Sequence, residues 1–300
     1  MRILIGVALY PSEPTLHPLT EACVDALTAA ENVPDGWEVH AAQFGGDDPA
    51  LGHYANLCAK HNRMRERVLD EGYDALLSIE ADMIVPANAA VRLAAVDADV
   101  AYGLYVSRST QMWLLFTELG PARGLSMAAN PEQAAAVFGQ VVASKGAGMG
   151  CTLIHRRVLE RVSFRLEPGA RFADDWWFAL DVAAAGLRQA HDTGLCCGHV
   201  LRDGLVAWPG VRRTESGEVV LHRYENLGVG RMAADRYEAR YLVLRTLHLP
   251  SENRYAGPGE VVMLTEDAAR VLMGRQAVTP ATPPEEKQET PSRGRRAKRG

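Results

Sequence analysis

No apolar run in this chain of 300 residues reaches the about 18 residues that a membrane helix needs, so the sequence offers no membrane span. The opening stretch Met1-Arg2-Ile3-Leu4-Ile5-Gly6-Val7 is apolar but stops at Tyr10-Pro11 with no small-residue cleavage site. It reads as a buried first strand and not as a secretory leader. Cysteine is scarce: Cys23, Cys58, Cys151, Cys196 and Cys197 form no C-x-x-C pair, which argues against a thiolate zinc knuckle. Their odd number and irregular spacing fit reduced thiols, and a cytoplasmic location is the expectation. Positive charge is lacking too. The net charge is -5, and only the extreme C-terminus is basic, so the body has no excess with which to neutralise a nucleic-acid duplex. No internal repeat is found. What is present is an ordinary globular composition, 47% hydrophobic and 23% charged, on a chain long enough to bury a core without staples.

The first half alternates two kinds of stretch. Ile3 to Leu9, Glu38 to Gln43, Ala75 to Ile79 and Val100 to Val106 read as strands. Between them, Leu19, Cys23, Ala26, Leu27 and Ala30 recur at helical spacing. A second helix spans about Tyr54 to Asp70, with Gly72 placed as a C-cap residue, and Pro86 opens a third. This alternation predicts an α/β fold: a mostly parallel twisted sheet flanked by helices, with ligands beyond the carboxyl ends of its strands. The second half is less regular. Cys151 to Ile154 reads as a strand, Arg156 to Arg161 and Trp176 to Ala185 as helices, and the stretches near Leu187 to His191 and Leu195 to Val200 as strands. Asp235 to Leu247 suggests an exposed helix.

Glu80-Ala81-Asp82 falls at one of those strand ends, between Leu76, Leu77 and Ile79 on one side and Met83, Ile84 and Val85 on the other. Two carboxylates leaving a buried strand are costly unless they are paired or bind metal, and hard oxygen ligands suit Mg²⁺ or Mn²⁺. A chance acidic turn is the competing reading. His199 offers an imidazole to close such a coordination shell, and His191 with Asp192 forms a second candidate cluster. Asp174-Asp175 stands before Trp176-Trp177-Phe178 at a helix start, where one aspartate is expected as the N-cap and the other as a general base. Trp176 and Trp177 suggest either a face for a sugar ring or plain helix packing.

In this order the pieces resemble the GT-A glycosyltransferases, especially family-2-like enzymes, over roughly residues 1–202. His61-Asn62-Arg63 through Glu80-Ala81-Asp82 and Pro86 looks like that family's helix, strand and D-x-D segment. Gly148-Met149-Gly150 and the strand after it look like its acceptor-side loop. Asp174-Asp175-Trp176-Trp177-Phe178 is similar to its E-D-x-x-F segment, and His199 falls where many members carry a metal-binding histidine. The resemblance implies a donor site of Leu9, Tyr10, Pro11, Glu13, Asn62, Glu80, Ala81 and Asp82, with the loop after the first strand holding the base, by resemblance uridine. It implies Asp82 as main metal ligand, Glu80 on ribose or metal, and Asp175 as acceptor-activating base in an inverting enzyme. The chain departs from the pattern at Glu80, one methylene longer than the usual aspartate, and at His61, where an arginine is usual.

The reading is therefore a transferase that takes a sugar from a nucleotide-sugar donor to a hydroxyl acceptor with Mn²⁺ or Mg²⁺. A non-catalytic nucleotide- or sugar-binding module and a metal-dependent phosphoester hydrolase are the alternatives. The organisation that goes with it is a catalytic domain over 1–202, an extension over 203–275 packing on it, and a disordered basic tail over 276–300. Nucleic-acid contact through that tail is the lesser reading beside a solvated tail.

Overall fold

A computed structural model describes residues 1–9, 16–108, 110–167, 172–201 and 205–227, and beyond them the backbone of five short strands. The chain divides into two compact units, Met1–Gly230 and Arg231–Gly300. Strands of the first unit are β1 (Arg2–Ala8), β2 (Glu38–Phe44), β3 (Ala75–Glu80), β4 (Met83–Ile84), β5 (Val100–Leu104), β6 (Phe116–Leu119) and β7 (Gly124–Ser126). They continue as β8 (Val141–Ala143), β9 (Cys151–His155), β10 (Gln189–Cys196), β11 (Gly198–Val200), β12 (Leu205–Arg213) and β13 (Val219–Asn226). Its helices are α1 (Pro18–Thr28), α2 (His53–Asp70), α3 (Ala89–Ala94), α4 (Pro131–Val137), α5 (Arg156–Leu159) and α6 (Asp174–Ala184). No helix among the described residues is long and apolar enough to cross a membrane.

The main sheet has seven strands in the order β2-β1-β3-β9-β5-β10-β8. β1, β2, β3, β5 and β10 run in one direction, while β9 and the edge strand β8 run against them. The α/β fold with a mostly parallel sheet is what the sequence predicts. Ile3, Leu4, Ile5, Leu76 and Leu77 are fully buried, because helices cover both faces of the central strands and leave no polar side to alternate with. Gly6 lets α2 press onto β1: a methyl group there would come within 2.7 Å of the Met64 sulfur.

Several elements begin or end differently from the sequence reading; β10 runs from Gln189 to Cys196, across the gap between the strands expected near Leu187 to His191 and Leu195 to Val200. Pro86 does not open α3, which starts at Ala89 after a turn in which the Ala89 N–H bonds the Pro86 carbonyl. The first unit also extends past residue 202. β12 and β13 complete a four-stranded sheet β13-β12-β11-β4, so 205–226 belong with the first unit although the extension was expected to begin at 203.

In the second unit, β14 (Glu238–Val243), β15 (Leu247–Leu249), β16 (Arg254–Ala256), β17 (Val261–Thr265) and β18 (Val278–Pro280) form antiparallel ladders. β14 lies where a helix over Asp235 to Leu247 was expected. Its Tyr-Leu-Val end suits a strand, and β17 and β18 give it a partner on each side. β18 likewise gives strand structure to part of the stretch expected to be disordered from 276 onward. Residues 281–300 lie outside the described residues.

Candidate metal centre and acceptor cleft

The carboxyl ends of β1, β3, β5 and β10 lie on one side of the sheet, where an open α/β sheet takes its ligands. β3 ends at Glu80, and the chain turns through Ala81 and Asp82 into β4. β4 then pairs antiparallel with β11, Met83 opposite His199, and the Val200 N–H donates to the Asp82 carbonyl at 2.8 Å. This short ladder brings residues 117 positions apart side by side: Asp82 Oδ2 lies 3.3 Å from His199 Nε2. The ligand atoms of Glu80, Asp82 and His199 all lie within 4.8 Å of one another.

The donor set fits a divalent cation. His199 Nδ1 is 2.8 Å from the Val106 carbonyl, which can only accept, so that nitrogen carries a proton and Nε2, 3.3 Å from Asp82 Oδ2, is the ring atom left to bind a cation. Asp82 is 3% exposed, and neither of its oxygens accepts a hydrogen bond among the described residues, although the Arg108 guanidinium touches Oδ2. Two carboxylates and a neutral imidazole can hold Mn²⁺ or Mg²⁺. This is the one such group of three among the described residues. The second cluster that a two-metal hydrolase needs is not found among them.

Beside this group α6 starts at Asp174, with Ala173 as its N-cap, so neither aspartate caps the helix as was expected. Asp174 is fully buried, its Oδ2 2.6 Å from His61 Nδ1. Burial disfavours the imidazolium of His61, but the Asp174 charge and hydrogen bond outweigh it and raise its pKa. Asp174 is thus committed to His61. Asp175 differs: burial first, then the charges of Asp174 and Glu80, push its carboxyl up to about 7 against the pull of the Trp176 N–H and His61. Asp175 lines a cleft of about 200 Å³ with Tyr54, Gly148, Phe172 and Trp176. Trp176 stacks on Phe172 at 4.0 Å and donates its indole N–H to the Gly120 carbonyl. Gly148 and Gly150 close on Tyr105, whose hydroxyl accepts the Gly150 N–H at 3.0 Å. A side chain at either glycine would strike that ring or hydroxyl.

Comparison with known proteins adds little. No family model and no curated protein matches the chain. Among solved structures, A197 from STIV is similar over 74% of this chain and 94% of its own, at 14% identity and a TM-score of 0.45. A glycosyltransferase involved in the glycosylation of the major capsid of PBCV-1 is similar over 53% of this chain and 63% of its own, at 11% identity and a TM-score of 0.31. A Bacillus anthracis protein assigned provisionally as a glucose-1-phosphate thymidylyltransferase, in complex with sucrose, is similar over 67% and 90%, at 13% identity and 0.34.

The other sequence-predicted residues divide. Leu9 sits at the end of β1, its carbonyl accepting from the Lys60 ammonium; Tyr10, Pro11 and Glu13 lie outside the described residues. Ala81 is buried and its carbonyl accepts the His17 N–H at 3.1 Å. The Asn62 side chain is engaged by Phe164. Its amide donates to the Phe164 carbonyl at 2.8 Å and its oxygen accepts the Phe164 N–H at 3.1 Å, which fastens the segment after α5. Met149, Gly150 and Trp177 are buried in packing, while Gly148 and Trp176 line the cleft beside Asp175. His191 and Asp192 do not form a cluster, because neighbours on a strand point to opposite faces. Asp192 is held by Arg92 at 2.7 and 2.9 Å. His191 bonds the Leu114 carbonyl and stacks on Tyr102, and burial pushes its pKa down to about 3.

Three residues were missed or misjudged. Lys60 and His61 are both 1% exposed on the buried face of α2, where Lys60 also pairs with Asp47 at 2.7 Å. The signal was present: both fall four or three residues before Met64 on the helix stripe that should be apolar. Arg108 follows β5, and the rule that ligands bind beyond parallel strand ends points to it as it does to Glu80.

Proposed function

We propose that this chain is a glycosyltransferase that moves a sugar from a nucleoside-diphosphate donor, by resemblance a uridine one, to a hydroxyl acceptor, with Mn²⁺ or Mg²⁺ held by Glu80, Asp82 and His199. The observation that carries the proposal is that Glu80 of this donor set lies near enough for its charge to act on a separate carboxyl, Asp175, at the wall of an open cleft. The cation would supply countercharge to the leaving diphosphate. Asp175 takes the proton of the acceptor hydroxyl as the acceptor oxygen bonds to the anomeric carbon. The bond from that carbon to the diphosphate breaks, and its electron pair leaves with the nucleotide. A base on the acceptor goes with inversion. A carboxyl near pH 7 suits this work, being ionised often enough to act and basic enough to accept. Trp176 and Phe172 give the acceptor an apolar wall, and Gly148 keeps the approach to Asp175 open.

The test is hydrolysis of a panel of nucleotide sugars with Mn²⁺, with Mg²⁺ and with EDTA, repeated on Asp82→Ala. At least one donor should turn over with metal, and the variant should lose about 10²-fold or more, the scale at which metal-site changes act. Equal turnover with EDTA, or in the variant, would defeat the reading.

A further inference from the structure

Arg108 touches the candidate metal centre directly. Its guanidinium contacts Asp82 Oδ2, and its Nε lies 3.4 Å from His199 Nε2. Both groups are acceptors, and guanidinium offers only donors. With Nδ1–H given to Val106, His199 keeps a single lone pair, on Nε2. That lone pair can accept from Arg108 or bind a cation, but not both. Asp82 faces the same choice, since its carboxylate is 4% exposed and its Oδ2 is in contact with Arg108.

Backbone on either side of Arg108 is tied by hydrogen bonds. Val106 bridges Trp113, the Ser107 N–H donates to the Met112 carbonyl at 2.8 Å, and the turn closes through Gln111 at φ 56°. Val106 is also the residue whose carbonyl holds His199. The arginine side chain is one third exposed, so solvent lies along its way out of the site.

We propose that Arg108 is a built-in competitor of the metal: its guanidinium and a divalent cation alternate on Asp82 and His199, and a bound diphosphate draws the arginine away. The inference rests on the metal reading above and adds that the free protein binds metal weakly until a diphosphate arrives. A displaced guanidinium at the mouth of the site is a natural partner for phosphate oxygens, which it meets in a bidentate fork.

The experiment is Mn²⁺ titration, read by electron paramagnetic resonance of the free ion, on the full chain, on Arg108→Met, and on Asp82→Ala as the blank. Arg108→Met should bind Mn²⁺ at least tenfold tighter than the unmodified protein. Adding inorganic pyrophosphate should tighten Mn²⁺ binding to the unmodified protein more than to the variant. Arg108→Gln, which keeps polarity without charge, should behave as the methionine variant does and serves if the latter does not fold. Equal or weaker Mn²⁺ binding in both variants, with binding lost in Asp82→Ala, would overturn the competition and leave the metal site standing. Absence of Mn²⁺ binding in every protein would overturn both.

Discussion

Asp175 and Asp174 are adjacent in sequence and opposite in use, and the difference lies in what each side chain meets. Asp174 meets His61 in the interior, and Asp175 meets a cleft. Because the Asp175 carboxyl is raised to about 7, the transfer rate should climb with pH through an ascending limb near neutrality, where the base loses its proton. The neighbours fix which way that limb moves. Asp174→Asn removes a like charge and should shift it to lower pH. His61→Gln removes a cation that favours ionised Asp175 and should shift it to higher pH. Asp175→Asn should lose about 10²- to 10⁴-fold in rate, the range for a general base. A profile of kcat/KM against pH checks all three, and a limb that stays in place in both neighbouring variants would remove Asp175 from the role. Nothing in the sequence separated these aspartates by environment. Their common position before a helix made both look like cap or base; the resemblance alone favoured Asp175, and the buried contact from α2 gives the physical difference between them.

At the scale of elements, α2 is a helix whose inner stripe carries polar side chains that tie loops to the sheet. Asn62 holds Phe164 by two hydrogen bonds, and Lys60 holds the end of β1. Asn62→Ala strands a backbone N–H and a carbonyl of Phe164. It should cost about 1–3 kcal/mol in urea unfolding while leaving the donor KM unchanged. A raised KM at unaltered stability would instead return Asn62 to the donor site. Elements with local signals were legible: β1 and β3 from unbroken apolar runs, α2 from its stripe, and its end from Gly72 at φ 73°. The pairing of β4 with β11 was not legible, because two or three residues carry no period and the partner lies over a hundred positions away. That ladder is what sets His199 against Asp82. The metal triad was therefore named from the order of motifs, while its geometry comes from contacts that periodicity cannot report. The strands from β6 to β8 went unread for a similar reason: they are three or four residues long and mostly half-exposed.

At the scale of the whole molecule, charge is divided along the chain. Residues 281–300 hold six basic and three acidic residues in a chain whose net charge is -5, so the rest is more acidic still. The described residues of the metal centre and cleft, by contrast, all lie within Met1–Gly230. Charge at the chain end acts on a site only within about 8 Å, the screening length at physiological salt, unless it is held there. Removing residues 281–300 should therefore leave metal-dependent donor hydrolysis unchanged within about twofold, while any retention on a heparin column at low salt is lost. The cut belongs after Pro280 and not at 276, because the earlier cut also removes β18, a ladder partner of β14. A fall in hydrolysis on cutting after Pro280 would mean that the basic segment serves the donor's phosphates and that the site is not complete within the first unit.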